Sequence, residues 1–171
     1  MREKMTAKKT NDQIFQNLVD LIYKNDQSKI DGLLRDGFNI KQVDSDGRTA
    51  LYYAVLDDNS ALVKFFCRKG FDTNVQDNLG WTPLHHCAQN YQVEIAKILI
   101  ENGAELDIKD NYGNTALFRA VFASQGKEDV IRLLLEHGAN RDSKNNAGVS
   151  PLQLVNTIAN YNVKQFFDVP V

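Results

Sequence analysis

The chain has 171 residues, 43% of them hydrophobic and 25% charged, with 20 Lys and Arg against 22 Asp and Glu. That is the balance of a soluble protein long enough to bury a core without disulfide or metal staples. A formal net charge of −2 gives no overall positive field for nucleic acid, two cysteines make no disulfide scaffold, and no apolar run reaches the ~18 residues of a membrane span.

Residues 1–10 carry Arg2, Lys4, Lys8 and Lys9 and lead into Asn11-Asp12-Gln13 with no apolar signal core; a disordered basic tail is expected there, with Met5 as an alternative start. Residues 11–43 hold an apolar periodic run that ends in Leu33-Leu34 before Gly37. In 44–76, the turn Asp44-Ser-Asp-Gly47 is followed by Thr49-Ala50, and a second run ends in Phe65-Phe66 before Gly70. The same order recurs in 77–109, with Asp77-Asn-Leu-Gly80, Thr82-Pro83, then Leu99-Ile100 before Gly103. It recurs in 110–144, with Asp110-Asn-Tyr-Gly113, Thr115-Ala116, then Leu133-Leu134-Leu135 before Gly138. Residues 145–171 open with Asn145-Asn-Ala-Gly148 and Ser150-Pro151, and no terminal Gly-Ala follows.

Two glycine series therefore run in step. Gly37, Gly70, Gly103 and Gly138 are spaced by 33, 33 and 35 residues, and Gly47, Gly80, Gly113 and Gly148 by the same numbers. Asp or Asn at the start of a four-residue turn, with Gly at its end, is the preference of a type I turn. A hydroxyl N-cap before Pro or Ala starts a helix, and a glycine after an apolar run supplies the left-handed residue that ends one. Each unit reads turn, helix, break, helix, glycine, extended segment. Trp81-Thr-Pro-Leu-His85, followed by Val93-Glu-Ile-Ala-Lys-Ile-Leu-Ile100 and Gly103-Ala104, resembles an ankyrin repeat. The resemblance covers nearly the whole chain. It implies an all-α solenoid of five units, with 11–43 and 145–171 as caps around full repeats 44–76, 77–109 and 110–144. Tyr52 and Phe118 stand where that family usually has His, Asp58 and Tyr91 stand where it has an inter-helix Gly, and two residues are inserted near Ala123-Ser-Gln-Gly126. Tighter or shifted inter-helix turns are expected at Asp58 and Tyr91.

In the first helix of 77–109, Leu84, Cys87 and Ala88 share one stripe, expected in the core; His86, Gln89 and Asn90 share another, expected on the concave surface. The same register gives Tyr53, Leu56 and Asp57, then Arg119, Phe122 and Ala123, then Leu154, Thr157 and Ile158. Turn tips add Asp46 and Arg48, Leu79 and Trp81, and Tyr112 and Asn114. Aromatic and apolar groups at such places are typical anchors of protein interfaces, although Trp81 and Tyr112 can equally fold back over the next turn. Formal charge is +2 over 1–43, −1 over 44–76, −3 over 77–109 and zero in the last two units, so a partner with a basic patch would be steered to the acidic middle.

Catalysis has no support in the sequence. Consecutive His85, His86 and Cys87 diverge on a helix and cannot share one tetrahedral metal centre, and no phosphate-binding glycine loop or nucleophile elbow occurs. As the resemblance implies, His85 ties the turn to the helix start. No catalytic residue, cofactor or metal is expected. The expected function is a cytoplasmic, monomeric protein-interaction module that binds neither nucleic acid nor membrane, acting as a stoichiometric inhibitor or immunity protein. An adaptor bridging two proteins is the first alternative, and a ligand- or redox-responsive module around His86 and Cys87 is the other.

Overall fold

The computed structural model describes residues 2–157 and 163–167, with side chains from residue 11 onward. Ile158, placed on the concave stripe by register, lies outside the described residues, as do the side chains of Arg2, Lys4, Lys8 and Lys9.

Nine α-helices and one 3-10 turn are found among the described residues, and no strand. They are α1 (Arg2–Tyr23), α2 (Gln27–Arg35), α3 (Ala50–Leu56), α4 (Ser60–Arg68), α5 (Pro83–Asn90), α6 (Val93–Glu101), α7 (Ala116–Ala123), α8 (Asp129–Glu136) and α9 (Pro151–Thr157), then the 3-10 turn Lys164–Phe166. Helices α1, α3, α5, α7 and α9 pack in that order as one row, and α4, α6, α8 and the 3-10 turn pack behind as a second. This is the all-α repeat architecture expected from the glycine period. Backbone helicity from Arg2 differs from the disordered tail expected for residues 1–10. That segment is rich in good helix formers (Arg, Glu, Lys, Met, Ala) and has no Gly or Pro to interrupt it.

The helix starts follow from their caps. The hydroxyls of Thr49, Thr82 and Thr115 accept the amides of Tyr52, His85 and Phe118, satisfying donors that a helix N-terminus otherwise leaves orphaned. Ser150 and Gln153 form a reciprocal capping box: Gln153 N–H donates to Oγ at 3.2 Å and Ser150 N–H to Oε1 at 2.9 Å. The core is a continuous stack of small and branched side chains. Ala54, Cys87, Ala88, Ala120 and Leu84 are fully buried in the inner row, and Leu62, Phe66, Leu99 and Leu134 in the outer. Small residues between neighbouring inner helices let the units approach closely.

The turns between paired helices hold a departure from expectation. They keep their geometry, and the residues in them adopt it: Asp58 and Tyr91 sit at φ 51° and 57°, with Asn25 and Gln125 at 52° and 45°. A left-handed conformation is costly for a side-chain-bearing residue, so it is held only where the surroundings impose it. Each of the first three is tied to a neighbour. Asn59 donates to the Asn25 side-chain oxygen at 3.1 Å, and Gln92 donates to Asp58 Oδ1 at 2.9 Å. The Tyr91 hydroxyl reaches Ala120 O at 2.7 Å and Lys127 O at 3.1 Å, with the Lys127 ammonium 5.6 Å from its ring centre. Tyr91 thereby clamps the two-residue insertion of the following unit.

Candidate functional site

The tips are built alike. In each turn the first residue's Oδ1 accepts two backbone amides: those of Asp46 and Arg48 on Asp44, of Leu79 and Trp81 on Asp77, of Tyr112 and Asn114 on Asp110, and of Ala147 and Val149 on Asn145. The Asx geometry leaves the second carboxylate oxygen free to take a side chain. Tyr53 Oη donates to Asp44 Oδ2 at 2.5 Å, Tyr52 Oη to Asp77 Oδ2 at 3.2 Å, and Arg119 Nε to Asp110 Oδ2 at 3.0 Å with a second contact from its Nη2.

Successive tips are also bonded to one another. The Asn78 N–H donates to Asp46 O at 2.8 Å and its side-chain amide to Ser45 O at 2.7 Å. Asn111 repeats this on Leu79 O and Asn78 O, at 3.1 and 2.9 Å. Asn146 repeats it on Tyr112 O and Asn111 O, at 3.0 and 3.1 Å. The period of these asparagines (78, 111, 146) is plain in the sequence, but its meaning needs the stacked structure.

His85 lies at the centre of this framework, 1% exposed. Thr82 N–H donates to its Nδ1 at 3.1 Å, which leaves the proton on Nε2 to donate to Asn114 O at 3.0 Å. The ring therefore holds its own helix start, as the resemblance implies, and also joins it to the next tip. Burial holds the His85 imidazole below its ordinary value, outweighing the favourable carbonyl of Asn114; burial and then Arg48 hold His86 down as well. A depressed folded value means that the unfolded chain takes up the proton first. The contribution of the neutral ring is thus complete above the unfolded value of about 6.5 and lost as pH falls below it. His85→Gln keeps a capping-box acceptor and is expected to flatten this fall, measured as urea midpoints from about pH 7.5 down to about pH 5.

The candidate surface residues divide into groups. Tyr112 and Phe122 are 64% and 65% exposed, and Leu79 is 54% exposed. Tyr112, Phe122, Phe118 and Arg119 line an open cleft of about 610 Å³, with Asn114, Asn145, Asn146 and Ala147 completing its walls. Asp46 is exposed, Asn90 is exposed with its amide on His86 Nε2 at 3.1 Å, and Leu56, Asp57, His86 and Gln89 are half-buried. Others are committed to the structure. Asn114 is 7% exposed, which corrects its expected place at an open tip: its amide faces Asp110 Oδ2 and its oxygen accepts from Asn145 at 2.9 Å. Trp81 is half-buried beneath the Arg119 guanidinium, 4.5 Å from the ring centre. Tyr53 packs edge-on against Phe15 and Tyr23, and Arg48 is shared between Asp46 at 3.3 Å and the Tyr52 ring. A second cleft, of about 510 Å³ between α1 and the first tip, is lined by Asp12, Phe15, Gln16, Gln42, Val43, Asp44 and Ser45. Most of these were missed in the sequence, because α1 has no turn motif to set its register.

Among the described residues no three His, Cys, Asp or Glu side chains gather as a metal site, and no helix is long and apolar enough to cross a membrane. Burial pushes the Cys67 thiol up to about 11 and the fully buried Cys87 thiol well above its ordinary value, disfavouring the thiolate that redox chemistry needs.

The family model described as ankyrin repeats (three copies) matches residues 7–110 and 56–145. No curated protein matches the chain. Ankyrin repeats are generally protein–protein interaction modules, typically non-catalytic. Repeat period, capped helices, stacked tips and this match agree: the chain belongs to the ankyrin repeat family.

Proposed function

We propose that this array binds one protein partner through its tips and inner helices and acts as a cytoplasmic, monomeric, stoichiometric inhibitor. The observation that carries the reading is the pair Tyr112 and Phe122. Both are about two-thirds exposed and line one cleft, whereas most other large aromatics among the described residues are packed. An exposed aromatic pair over a rigid scaffold gives large contact area at low entropic cost, because two stiff rings need little ordering on binding. Asp46 and Asp57, one unit or more away, favour a partner with a basic patch.

The test is affinity capture from the native source with the intact protein, followed by reconstitution with the purified partner. Tyr112→Ala combined with Phe122→Ala is expected to weaken binding tenfold or more, because such anchors dominate interface energies, while His86→Ala with Cys87→Ala leaves it nearly unchanged. Full loss of the partner's activity at one equivalent supports inhibition; a stable ternary complex with a second protein supports the adaptor instead. Unchanged binding by the Tyr112 and Phe122 variant removes the site assignment.

A further inference from the structure

The tip ladder ends in an open place. At each of three junctions an asparagine donates its backbone N–H to the third turn residue of the preceding tip and its side-chain amide to the second. The next pair of acceptors in that series is Ala147 O and Asn146 O. Neither receives a hydrogen bond among the described residues. The glycines report the same vacancy independently. A Cβ placed on Gly80 would meet Asn111 N at 2.7 Å, and one on Gly113 would meet Asn146 N at 2.7 Å and its Oδ1 at 2.5 Å. One placed on Gly148 meets nothing within 4 Å among the described residues, although its φ of 77° matches that of Gly113.

The slot also adjoins the cleft just described, whose lining includes Asn145, Asn146 and Ala147 together with Tyr112 and Phe122. The single charged side chain there, Arg119, is already paired with Asp110. A neutral occupant that donates hydrogen bonds is therefore favoured, because a carboxylate would meet two carbonyl oxygens and no unpaired cation.

We propose that this slot receives a tight turn of the partner protein that carries asparagine at its second position. The turn repeats in trans the bonds that Asn111 and Asn146 make within the chain. Its backbone N–H donates to Ala147 O, its asparagine amide donates to Asn146 O, and an adjacent apolar side chain enters the Tyr112–Phe122 cleft. The docking mode continues an interface that the molecule forms three times internally. It rests on the reading of this face as protein-binding, and it adds the chemistry of what binds.

The probe is a cyclic peptide copying residues 109–115 of this chain, titrated into the full-length protein and followed by amide chemical shifts. Saturable shifts are expected at Ala147, Gly148, Tyr112 and Phe122, with an affinity in the millimolar range suited to two hydrogen bonds and one side chain. The same peptide with Asn111→Asp is expected to bind at least tenfold more weakly. Gly148→Ala in the protein places a methyl in the slot and is expected to weaken binding at least tenfold, with shifts away from the tip left unchanged. Absence of saturable shifts, equal binding of the Asn and Asp peptides, or full binding by Gly148→Ala overturns the proposal. Partner binding that remains sensitive to Tyr112→Ala and Phe122→Ala in those cases leaves the broader functional reading standing.

Discussion

Gly113→Ala is expected to cost about 3 kcal/mol and Gly148→Ala only about 1 kcal/mol, although the two glycines share a motif and the same φ of 77°. The shared part is conformational. An alanine forced into the left-handed region brings its Cβ against its own carbonyl oxygen, a penalty of about 1–2 kcal/mol wherever it occurs. The difference is steric. At Gly113 the methyl would lie 2.5 Å from Asn146 Oδ1 and 2.7 Å from Asn146 N. A side-chain oxygen can swing aside, but the backbone nitrogen cannot move without breaking its hydrogen bond to Tyr112 O. Overpacking of this kind adds about 1–3 kcal/mol. In a chain of this length 1 kcal/mol corresponds to about 2–4 °C of melting temperature. The measurement is urea and thermal unfolding of both variants under one condition; equal losses would show that backbone conformation alone sets the requirement for glycine.

That contrast marks what was and was not legible in the sequence. Unit number, helix order and the capping residues Thr49, Thr82, Thr115 and Ser150 follow from local rules, because a cap and the helix it starts are three residues apart. The turn aspartates are legible for the same reason, since Asp110 Oδ1 bonds amides two and four residues on. Contacts between units are another matter. Trp81 is covered by Arg119, Tyr91 clamps Lys127 O, and Asn114 meets Asn145; each pair is separated by about one repeat, and single positions carry no signal of it. Asn114 has the polarity and turn position of an exposed tip, yet it is buried because the next unit stacks on it. Tyr91 substitutes for a glycine that the local conformation favours, and only its distant hydrogen bonds show how the left-handed residue is held.

The candidate surface divides by the same logic. Aromatic residues on the inner row and the tips become fixed wherever a neighbouring unit offers a partner: Tyr53 against Phe15 and Tyr23, Tyr52 on Asp77, and Trp81 under Arg119. Those left over include Leu79, Tyr112 and Phe122, and the last two line one cleft. A solenoid contacts only nearest neighbours, and the third residue of each turn, Asp46, Leu79, Tyr112 and Ala147, stays exposed in every unit.

Asp110→Asn is the second variant with a large expected effect, about 3 kcal/mol at neutral pH. Asp110 is 5% exposed and Arg119 keeps 16% of its side chain accessible. The amide can still accept at Oδ1 from Tyr112 and Asn114, as Asn145 does in the following unit. What is lost is the charge facing the guanidinium, which stays half-buried above Trp81 with an amide in front of it. Removing one partner of a buried pair costs more than the pair contributes, because the remaining charge is desolvated and unpaired. Arg119→Leu should therefore restore most of the loss in the double variant, since leucine is what stands at the matching position, Leu154, where the turn residue is Asn145. The acid limb gives a separate readout. Burial alone would raise the Asp110 carboxyl, but hydrogen bonds from Arg119 and the Asn114 amide hold it below its ordinary 3.8. A depressed carboxylate value means that its contribution is complete above about pH 4 and falls away as pH drops through the folded value. Wild-type protein is expected to lose this increment below about pH 4, while Asp110→Asn lacks it at every pH. Urea midpoints of the four members of the cycle between about pH 3 and pH 7 measure both. A double variant no more stable than Asp110→Asn would mean that the carboxylate acts chiefly through the turn rather than through Arg119.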